Sequence, residues 1–592
     1  MDTVRIRYLK EWISQLPSGN ITYKTINGKK YPYYQWTENG KQRGRRVKAE
    51  ELQELSEKIA QRKALQQKLK EASASAPSDM KEVFAEDFFF SAVKRGQELL
   101  DFVAPVKKLK KRECFCKLRD YVYGDSTDRV FILYGLRRTG KTTMIRQLIG
   151  EMSEEMLEKT AFIQMNATMD LAKINIDLKQ LSKQGYRYVF MDEVTLMDDF
   201  VDGAALFSDV YATSGMKIVL SGTDSLGFIF SEDRELYDRC FILHTTFISY
   251  REFETVLGIG GIDEYIRYGG TMSLGGVNYN HSGMTFATKE STDDYVDSAI
   301  ARNIQHSLKN YQQGDHFRNL SELYEANELT GAINRIVEDM NHRFTLAVLT
   351  RDFKSGDFRL SAKNLLRDRQ APNDVLYRVD EEMITARLKE LLEIRNKPEQ
   401  TVTIRDAHRR EIKEYLDFLD LTVDLDVVYL PDLSRNEKHT AISQPGMRYA
   451  QAEALIQTLM KDSVFQMLSL AERNRVTQRI MSDIQGRMLE DIILLETKMA
   501  YPRWEVFKLV FARGEFDMVV FDPEKGCCSI YEIKHSTEAV EEQYKHLVDP
   551  EKCQQTEFRF GTIIGKYVIY RGQPQEINGI RYLNVEEYLK SL

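Results

Sequence analysis

The sequence has no run of about 18 apolar residues, the length that a membrane-spanning helix requires, so we expect no membrane span. The first residues, Met1-Asp2-Thr3-Val4-Arg5, also lack the apolar core of a signal peptide. Cysteine is scarce, and no paired CxxC set with histidines occurs, which argues against zinc and for reduced thiols. The six cysteines are Cys114, Cys116, Cys240, Cys527, Cys528 and Cys553. Together these absences predict a cytoplasmic protein.

Positive charge is concentrated at the N-terminal end of the chain. The net charge of −7 does not by itself suggest a nucleic-acid-binding protein. Residues 1–70, however, hold 16 lysine and arginine residues against 7 acidic residues, a local charge of +9 that leaves −16 for the remainder. Such an asymmetry is typical of a basic binding module. With 592 residues the chain is too long for one core, and we expect roughly three to five domains.

Residues 1–71 are predicted to form a small basic unit. Polar and apolar residues alternate over 20–49, with hairpin signals at Asn27-Gly28 and Asn39-Gly40, which predicts a three-stranded β-meander. Near-heptad leucines then predict a helix over 50–71. Interleaved aromatic and basic residues favour nucleic-acid binding by base stacking and phosphate contact. The alternative is an adaptor whose tyrosines form a core and whose charges are solvated.

Residues 72–125 are predicted to be a linker followed by a helical lead-in. The run Ala-Ser-Ala-Ser-Ala-Pro-Ser over 72–78 has the composition of a linker. Residues 80–123 have a helical and basic pattern with a cluster of cations at Lys107, Lys108, Lys110, Lys111 and Arg112. Two interpretations of that cluster remain, a solvated helix face and a contact site.

Val130 to Thr143 carries the strongest chemical signal. A five-residue apolar run leads into Gly135-x-x-x-x-Gly140-Lys141-Thr142 and then into a helical pattern, which is the strand–loop–helix context of a phosphate-binding loop. Backbone N–H groups and the helix start would face the phosphates of a nucleoside triphosphate, with Lys141 on the β- and γ-phosphates and Thr142 on Mg²⁺. The expected cofactor-binding residues of the loop are Gly135, Leu136, Arg137, Arg138, Thr139, Gly140, Lys141, Thr142 and Thr143.

The region 126–255 alternates strand and helix patterns, which predicts a five-stranded parallel sheet. The predicted strands are Val130–Tyr134, Ala161–Met165, Tyr188–Met191, Lys217–Ser221 and Cys240–His244. The third strand ends in Asp192 and Glu193, 51 residues after Lys141. We expect Asp192 to hold Mg²⁺ through water and Glu193 to polarise the attacking water as the catalytic base.

Polar residues after the fourth strand are expected to sense the γ-phosphate. Thr223 is the first choice and Ser225 the second. Arg234 and Arg239 follow, and either is a candidate arginine finger acting across a subunit boundary, the alternative being an ordinary surface arginine.

Five motifs in this order resemble a known family. They are Tyr134–Thr143, Phe190–Glu193, Leu220–Ser225, Ser249–Phe253 and Tyr265–Gly270. Together they resemble the prokaryotic AAA-superfamily ATPases that carry a C-terminal PD-(D/E)XK nuclease-like domain. The resemblance implies ATP rather than GTP, and the sequence has no Asn-Lys-x-Asp guanine-reading motif. It departs from the family after Asp-Glu, where Val194-Thr195 stands in place of the usual polar residue.

Between this core and the C-terminus, two further regions are expected. Residues 256–345 show helical patterns and are predicted to form a helical lid. Residues 346–470 combine helix patterns over 409–419 and 448–460 with a strand-rich stretch over 421–430. This order fits a winged-helix-like module that either binds DNA or packs against the rest of the protein.

Residues 471–592 hold a second chemical constellation. A predicted hairpin places Asp517 and Glu532 at neighbouring strand ends, and Lys534 follows on the face of Glu532 because strand side chains repeat every two residues. Two carboxylates bind Mg²⁺, and a neighbouring lysine orients the attacking water. The arrangement resembles the PD-(D/E)XK motif, with Glu490 matching its helical acid.

Further residues near this constellation are candidates. Gln543-Tyr544 resembles the glutamine motif of some such nucleases and is expected on the helix that follows. Glu515 is a further candidate ligand, which an ideal strand would point to the face opposite Asp517.

The sequence thus predicts a multidomain α/β protein, an ATPase that acts on nucleic acid, with DNA preferred, through a Mg²⁺-dependent nuclease-like domain. A homo-oligomer is expected. The alternative is an ATP-dependent switch or scaffold whose terminal domains bind partners without cleavage. A third hypothesis is a motor that does not cut.

Overall fold

The computed structural model describes most of residues 17–47, scattered residues between 52 and 63, and most of residues 89–592. The main gaps in that last range are 224–227, 229–235, 272–288, 309–316, 355–403 and 431–435. The predicted hairpin turns at Asn27-Gly28 and Asn39-Gly40, the linker, Ser225 and Arg234 therefore lie outside the described residues. The chain divides into two units, Met1–Phe89 and Phe90–Leu592.

The first unit contains the predicted three-stranded meander. Its strands, joined in antiparallel order, are β1 (Asn20–Ile26), β2 (Lys29–Glu38) and β3 (Lys41–Arg46). The rings of Tyr34 and Trp36 stack on one face of β2, with centroids 5.0 Å apart. The spatial order is β1-β2-β3, with antiparallel pairing throughout, which is the arrangement of a meander.

The second unit begins with a six-stranded sheet. Its strands are β4 (Ala92–Lys94), β5 (Val130–Gly135), β6 (Thr160–Gln164), β7 (Tyr188–Asp192), β8 (Lys217–Gly222) and β9 (Cys240–Thr245). Their spatial order is β4-β6-β7-β8-β5-β9. The last five are parallel, as predicted, whereas β4 pairs antiparallel with β6. The prediction of a wholly helical 80–123 was wrong here, because this short edge strand completes the sheet.

Helices cover the faces of this sheet. They are α1 (Gly96–Val103), α2 (Phe115–Tyr123), α3 (Lys141–Ile149), α4 (Glu154–Glu158), α5 (Leu171–Lys183) and α6 (Phe200–Gly203), with a π-helical turn at Phe207–Ala212. The core between α1, α2, α3 and the strands is aliphatic and aromatic, and it contains Leu133, Ile145 and Phe190, all at most 1% exposed. Packing on both faces explains why the central strands are continuous apolar runs.

Helices also fill the middle of the unit. They are α7 (Tyr250–Leu257), α8 (Ile262–Tyr268), α9 (Lys289–Tyr295), α10 (Arg318–Glu325), α11 (Leu329–Lys354), α12 (Asp406–Phe418), α13 (Pro445–Lys461) and α14 (Leu470–Ala500). α14, with 31 residues, carries Glu490, the residue that the sequence analysis matches to the helical acid. Among the described residues, none of the helices has both the length and the apolar character that crossing a membrane requires.

A second sheet of eight strands completes the unit. Its strands are β10 (Thr422–Tyr429), β11 (Asn436–Ile442), β12 (Glu505–Val510), β13 (Glu515–Asp522), β14 (Cys527–Ile533), β15 (Thr562–Tyr570), β16 (Gln575–Ile577) and β17 (Ile580–Asn584). Their spatial order is β11-β10-β12-β13-β14-β15-β17-β16. Two helices, α15 (Pro550–Phe560) and α16 (Val585–Ser591), follow in this region.

The winged-helix interpretation of residues 346–470 was wrong for its strands. β10 pairs in parallel with β12, so that Val428 lies opposite Leu509. β10 and β11 are therefore part of the C-terminal sheet, and that sheet begins well before residue 471. The apolar core beside it contains Leu425, Ala441, Leu459 and Ile493, which shows that the helices and strands of 422–500 share one interior.

Candidate functional site

The phosphate-binding loop joins β5 to α3. Gly140 has φ of 88° and Gly135 has φ of 141°, and an added Cβ at Gly135 would lie 2.3 Å from the Thr245 carbonyl oxygen. Only glycine tolerates both conditions. The Lys141 ammonium donates hydrogen bonds of 2.8 Å to the carbonyl oxygens of Gly135 and Leu136. Burial lowers the pKa of Lys141 to about 8, although Glu193 and Asp192 act in the opposite direction.

The carboxylate at the end of β7 faces this loop. The Thr142 hydroxyl donates a 2.7 Å hydrogen bond to Asp192 Oδ2, and the Ser221 hydroxyl donates to Asp192 Oδ1. A hydroxyl beside a carboxylate is a donor set that suits Mg²⁺. The structure therefore brings together Thr142 and Asp192, which the sequence predicts as metal-binding residues. Ser221 is an additional partner that lies on the neighbouring strand β8.

Glu193 follows Asp192 in a left-handed backbone conformation, with φ of 59°. Non-glycine residues seldom adopt this conformation, and it is frequent at functional sites. Thr223, at the end of β8, donates a 3.1 Å hydrogen bond to Glu193 Oε2. The predicted base and the first-choice sensor residue are thus in direct contact.

The Arg112 side chain hydrogen-bonds to the backbone of the phosphate-binding loop. The sequence analysis assigned it no role at this site. Its guanidinium is 6% exposed and donates to Glu252 Oε2 at 2.6 Å and to the Thr139 carbonyl oxygen at 2.9 Å. Lys107, Lys108, Lys110 and Lys111 are exposed and Arg112 is buried, and none of the five lies on a helix, so the predicted helix face is not formed. The ion pair between Arg112 and Glu252, a residue of the motif Ser249–Phe253, connects α7 to the phosphate-binding loop.

The helices after β9 also contact the loop. The Tyr295 hydroxyl donates a 3.4 Å hydrogen bond to the Arg137 carbonyl oxygen, and the Arg138 guanidinium lies 5.4 Å from the Tyr295 ring centroid. Leu136 packs into the same apolar cluster as Ile300 and Ile333. The region predicted as a helical lid therefore touches the nucleotide site directly.

The second candidate site lies where β13 and β14 meet α14. Met518 pairs with Tyr531, so Asp517 and Glu532 come next along the two strands. The Lys534 ammonium donates to Asp517 Oδ2 at 2.8 Å and to Glu532 Oε2 at 2.6 Å. Both carboxylates are 3% exposed. The geometry matches the predicted grouping of Asp517, Glu532 and Lys534.

The charges of this grouping are strongly coupled. Although burial acts in the opposite direction, the ammonium groups of Lys534 and Lys508 hold the pKa of Asp517 below its usual range. Burial, together with the Asp517 carboxylate, raises the pKa of Glu532 against the attraction of Lys534. Two buried carboxylates with pKa values pushed apart are a recurrent feature of catalytic sites.

Three acidic side chains, including that of Asp517, converge at this site. Ligand oxygens of Glu490, Glu515 and Asp517 all lie within 4.8 Å of one another. The expectation that Glu515 points away from Asp517 was wrong, because residues two apart on a strand share a face. Lys508 of β12 lies between them, and Arg487 of α14 contacts Glu490. Neither cation was assigned a role from the sequence, although a lysine inside the apolar stretch of β12 is a visible signal.

One oxygen at this site has no partner. Glu532 Oε1 is buried, and no hydrogen bond to it occurs among the described residues. A buried carboxylate oxygen without a donor costs free energy, and a divalent cation is one group that satisfies it. The residues present therefore fit a Mg²⁺ ion held by Asp517 and Glu532, as the sequence predicts.

A cleft of about 880 Å³ opens onto this site. Asp517, Lys534 and Glu490 line its floor. Its walls are rich in nitrogen-containing side chains, namely Arg343, Lys438, His439, Arg479, Arg487, His535 and Gln543. Gln543 reaches the cleft from a short 3₁₀ turn, Glu541–Gln543, and not from the predicted helix, which begins only at Pro550.

Comparison with known families gives a match over the part of the chain that holds the first of the two sites. Residues 127–254 match the family model of an AAA domain. The match covers the phosphate-binding loop, Asp192-Glu193 and Thr223. Residues 3–57 match a domain of unknown function, DUF6788.

The other comparisons are weaker. No curated protein matches the chain. Among solved structures, the chain is similar to the ORC1 protein of Aeropyrum pernix in complex with DNA, at 13% identity over 62% of this chain and 98% of that chain, with a TM-score of 0.22. A TM-score this low supports no inference about fold or function.

Within the AAA domain, the candidate arginine finger Arg239 lies away from the phosphate-binding loop of its own chain, and its action across a subunit boundary stays a prediction. Arg239 precedes β9, and its carbonyl oxygen accepts a hydrogen bond from the amide of Val130, which begins β5. Because β5 and β9 are parallel, Arg239 lies at the amino-terminal end of the strands, and the phosphate-binding loop lies at their carboxyl end. Its guanidinium pairs with Asp209 at 3.2 Å. Arg239 therefore does not contact the nucleotide site of its own chain.

Proposed function

We propose that the protein is an ATPase that cleaves DNA at a Mg²⁺-dependent site in its C-terminal sheet. The convergence of Asp517, Glu532 and Lys534, with the unpartnered Glu532 oxygen, carries the nuclease part of this proposal. The AAA domain carries the ATPase part. The N-terminal meander, with Tyr34 and Trp36 stacked on one face, is an additional contact for nucleic acid or a protein partner.

The arrangement around Lys141 supports ATP hydrolysis. The Lys141 ammonium lies beneath the loop, where it can exchange its carbonyl partners for phosphate oxygens. Thr142 and Asp192 would hold Mg²⁺, which neutralises charge on the transferred phosphoryl group. Glu193 orients the attacking water, and the Thr223 hydroxyl holds the Glu193 carboxylate until nucleotide binds.

The C-terminal residues support phosphodiester hydrolysis. Asp517 and Glu532 would hold Mg²⁺, which lowers the pKa of a bound water and stabilises charge on the phosphate. The Lys534 ammonium, within 2.8 Å of both carboxylates, is placed to orient the attacking water and to stabilise developing negative charge. Five arginine and lysine side chains and three carboxylates line the cleft, so cations outnumber acids there, which favours a polyanionic strand.

ATP turnover tests the first half of the proposal. We expect the full chain to release phosphate from ATP with Mg²⁺, and Lys141→Ala and Glu193→Gln each to lower turnover by about 10²-fold or more, since both remove transition-state contacts. Glu193→Gln should still bind ATP, whereas Lys141→Ala should bind it weakly. Turnover that survives both substitutions would contradict the assignment of this site.

DNA cleavage tests the second half. The full chain is incubated with Mg²⁺, ATP and linear, nicked and single-stranded DNA, beside Asp517→Asn and Lys534→Ala. Both substitutions should abolish cleavage without changing ATP turnover. Lys525→Ala, at an exposed lysine on the β13–β14 turn, is the matched control and should cut normally. Absence of cleavage with every DNA would favour the switch or scaffold alternative.

A further inference from the structure

Lys508 lies in the middle of the acidic group formed by Glu490, Glu515 and Asp517. Its ammonium nitrogen is 2.7 Å from Glu515 Oε1, 3.0 Å from Glu490 Oε2 and 3.9 Å from Asp517 Oδ1. The Lys508 side chain is only 8% exposed. Carboxylates of two other elements, α14 and β13, hold this buried lysine in place. The nuclease mechanism proposed above assigns it no role.

The same three carboxylates have the spacing of a metal site. Their oxygens lie within 4.8 Å of one another, and Ca²⁺ or Mn²⁺ would need to stand roughly 2.0–2.6 Å from each of them. The Lys508 nitrogen already fills that space. An ammonium group and a divalent ion cannot both occupy it.

We infer that the Lys508 ammonium takes the place of a second divalent ion, so that the acidic group of Glu490, Glu515 and Asp517 binds no metal while Lys508 is present. The statement that one ion remains, at Asp517 and Glu532, rests on the proposed function. The two statements share Asp517 and differ in Glu532, which is not part of the group around Lys508.

The local fold explains how Lys508 reaches this position. The pairing of β12 with β13 is irregular between Phe507 and Leu509, because Phe507 lies opposite Val519 and Leu509 lies opposite Phe516. Two residues of β13, Asp517 and Met518, therefore lie opposite the single residue Lys508, which is a β-bulge. Such bulges re-aim side chains and are common beside active sites.

The charge balance favours one ion over two. Four carboxylates, Glu490, Glu515, Asp517 and Glu532, face three cations, Lys508, Lys534 and Arg487. With all four carboxylates ionised, one negative charge is left, together with the unpartnered Glu532 oxygen. One divalent ion changes this charge from −1 to +1, whereas two would leave +3, which burial makes costly.

Counting bound Mn²⁺ by electron paramagnetic resonance tests the inference. The full chain is used without nucleotide, and only differences between variants are compared, so that ions bound elsewhere cancel. Lys508→Met should bind one more ion per chain than the wild type. The added ion should be lost in Lys508→Met/Glu515→Gln, and Lys508→Arg, which keeps the charge, should match the wild type.

Two results would overturn the inference. One is a folded Lys508→Met variant that gains no ion, and the other is a wild-type chain that loses an ion on Glu515→Gln. If Lys508→Met does not fold, the single variant Glu515→Gln is the test. An unchanged number of bound Mn²⁺ ions per chain in Glu515→Gln supports the inference. Glu532→Gln separates the two proposals: if it removes no ion, the proposed Mg²⁺ site is wrong, while the Lys508 comparison still stands.

Discussion

At the scale of single residues, Lys141 makes the nucleotide site sensitive to pH. Its pKa of about 8 in the free protein means that the ammonium loses its proton just above neutral pH. Because phosphate binding requires the charged form, affinity for ATP should be constant below pH 8 and fall about tenfold per unit above it. Titration with a fluorescent ATP analogue between pH 6.5 and 9.5 measures this. Lys141→Arg, which stays charged, should show no break, and a flat wild-type profile would contradict the prediction.

Arg112 should affect both stability and ATP affinity, by different routes. Arg112→Met leaves the buried Glu252 carboxylate without its cation and should cost about 3–5 kcal/mol of the free energy of unfolding. The double variant Arg112→Met/Glu252→Met should regain most of that stability, because no charge is left buried. It should not regain ATP affinity, since the hydrogen bond to the Thr139 carbonyl is still missing.

The measurements are thermal unfolding and nucleotide titration on each variant. Lys110→Met changes an exposed neighbour of Arg112 and is the control for both. Wild-type ATP affinity in the double variant would show that Arg112 does not position the loop.

At the scale of elements, α14 connects the two halves of the second unit. Its Glu490 lines the C-terminal cleft, while Glu496, six residues further, accepts a 2.7 Å hydrogen bond from the Tyr250 amide at the start of α7. Burial raises the pKa of Glu496 from an ordinary 4.5 to about 7, despite hydrogen bonds from Tyr250 and Tyr265 that act in the opposite direction. The contact between α14 and α7 is therefore expected to depend on pH.

The sign of this dependence follows from the raised pKa. The folded chain holds the Glu496 proton up to about pH 7, whereas the unfolded chain releases it near 4.5, so stability falls as pH rises between these values. The loss is on the order of 3 kcal/mol. Glu496→Gln should remove it, and its unfolding temperature relative to the wild type should rise from pH 5 to pH 8. The exposed Glu505→Gln is the control, and a difference that does not change with pH would contradict the prediction.

Local patterns predicted the elements well, and long-range partners less well. The strands ending in Gly135 and Asp192 and the two-residue spacing of Glu532 and Lys534 are properties of short segments, so the sequence was sufficient to predict them. The pairing of Val428 with Leu509 joins residues about 80 positions apart and leaves no local signal. It changed a predicted separate module into part of the C-terminal sheet.

In the candidate sites, too, some residues are predictable from local patterns and others only from contacts made in the folded structure. Lys141, Thr142, Asp192 and Glu193 were predicted because their spacing within a parallel sheet is characteristic. Arg112 was not assigned because its partner Glu252 lies 140 positions away in the chain. Lys508 was not assigned because its carboxylate partners lie on two other elements, α14 and β13, which the fold brings together. A buried cation is identified by its partners, and these become visible only in the folded structure.

At the scale of the whole molecule, the AAA domain and the C-terminal sheet are joined through α7 and α8. Asp263 of α8 lies 3.1 Å from His535 Nε2 and pairs with Arg571, and His535 directly follows Lys534. Ile248 and Phe253 share one apolar cluster with Ile533 and Leu589. α8 therefore contacts the residue that follows Lys534, directly after β14.

The central claim is that one chain carries two separate chemistries, one at Lys141 and one at Lys534. It is tested most directly by measuring ADP release and DNA cleavage in the same Mg²⁺-containing reaction, for the wild type and Lys534→Ala. The account predicts both products from the wild type, and ADP without cut DNA from Lys534→Ala. Cleavage that persists in Lys534→Ala, or its absence from the wild type on every DNA, would contradict the account.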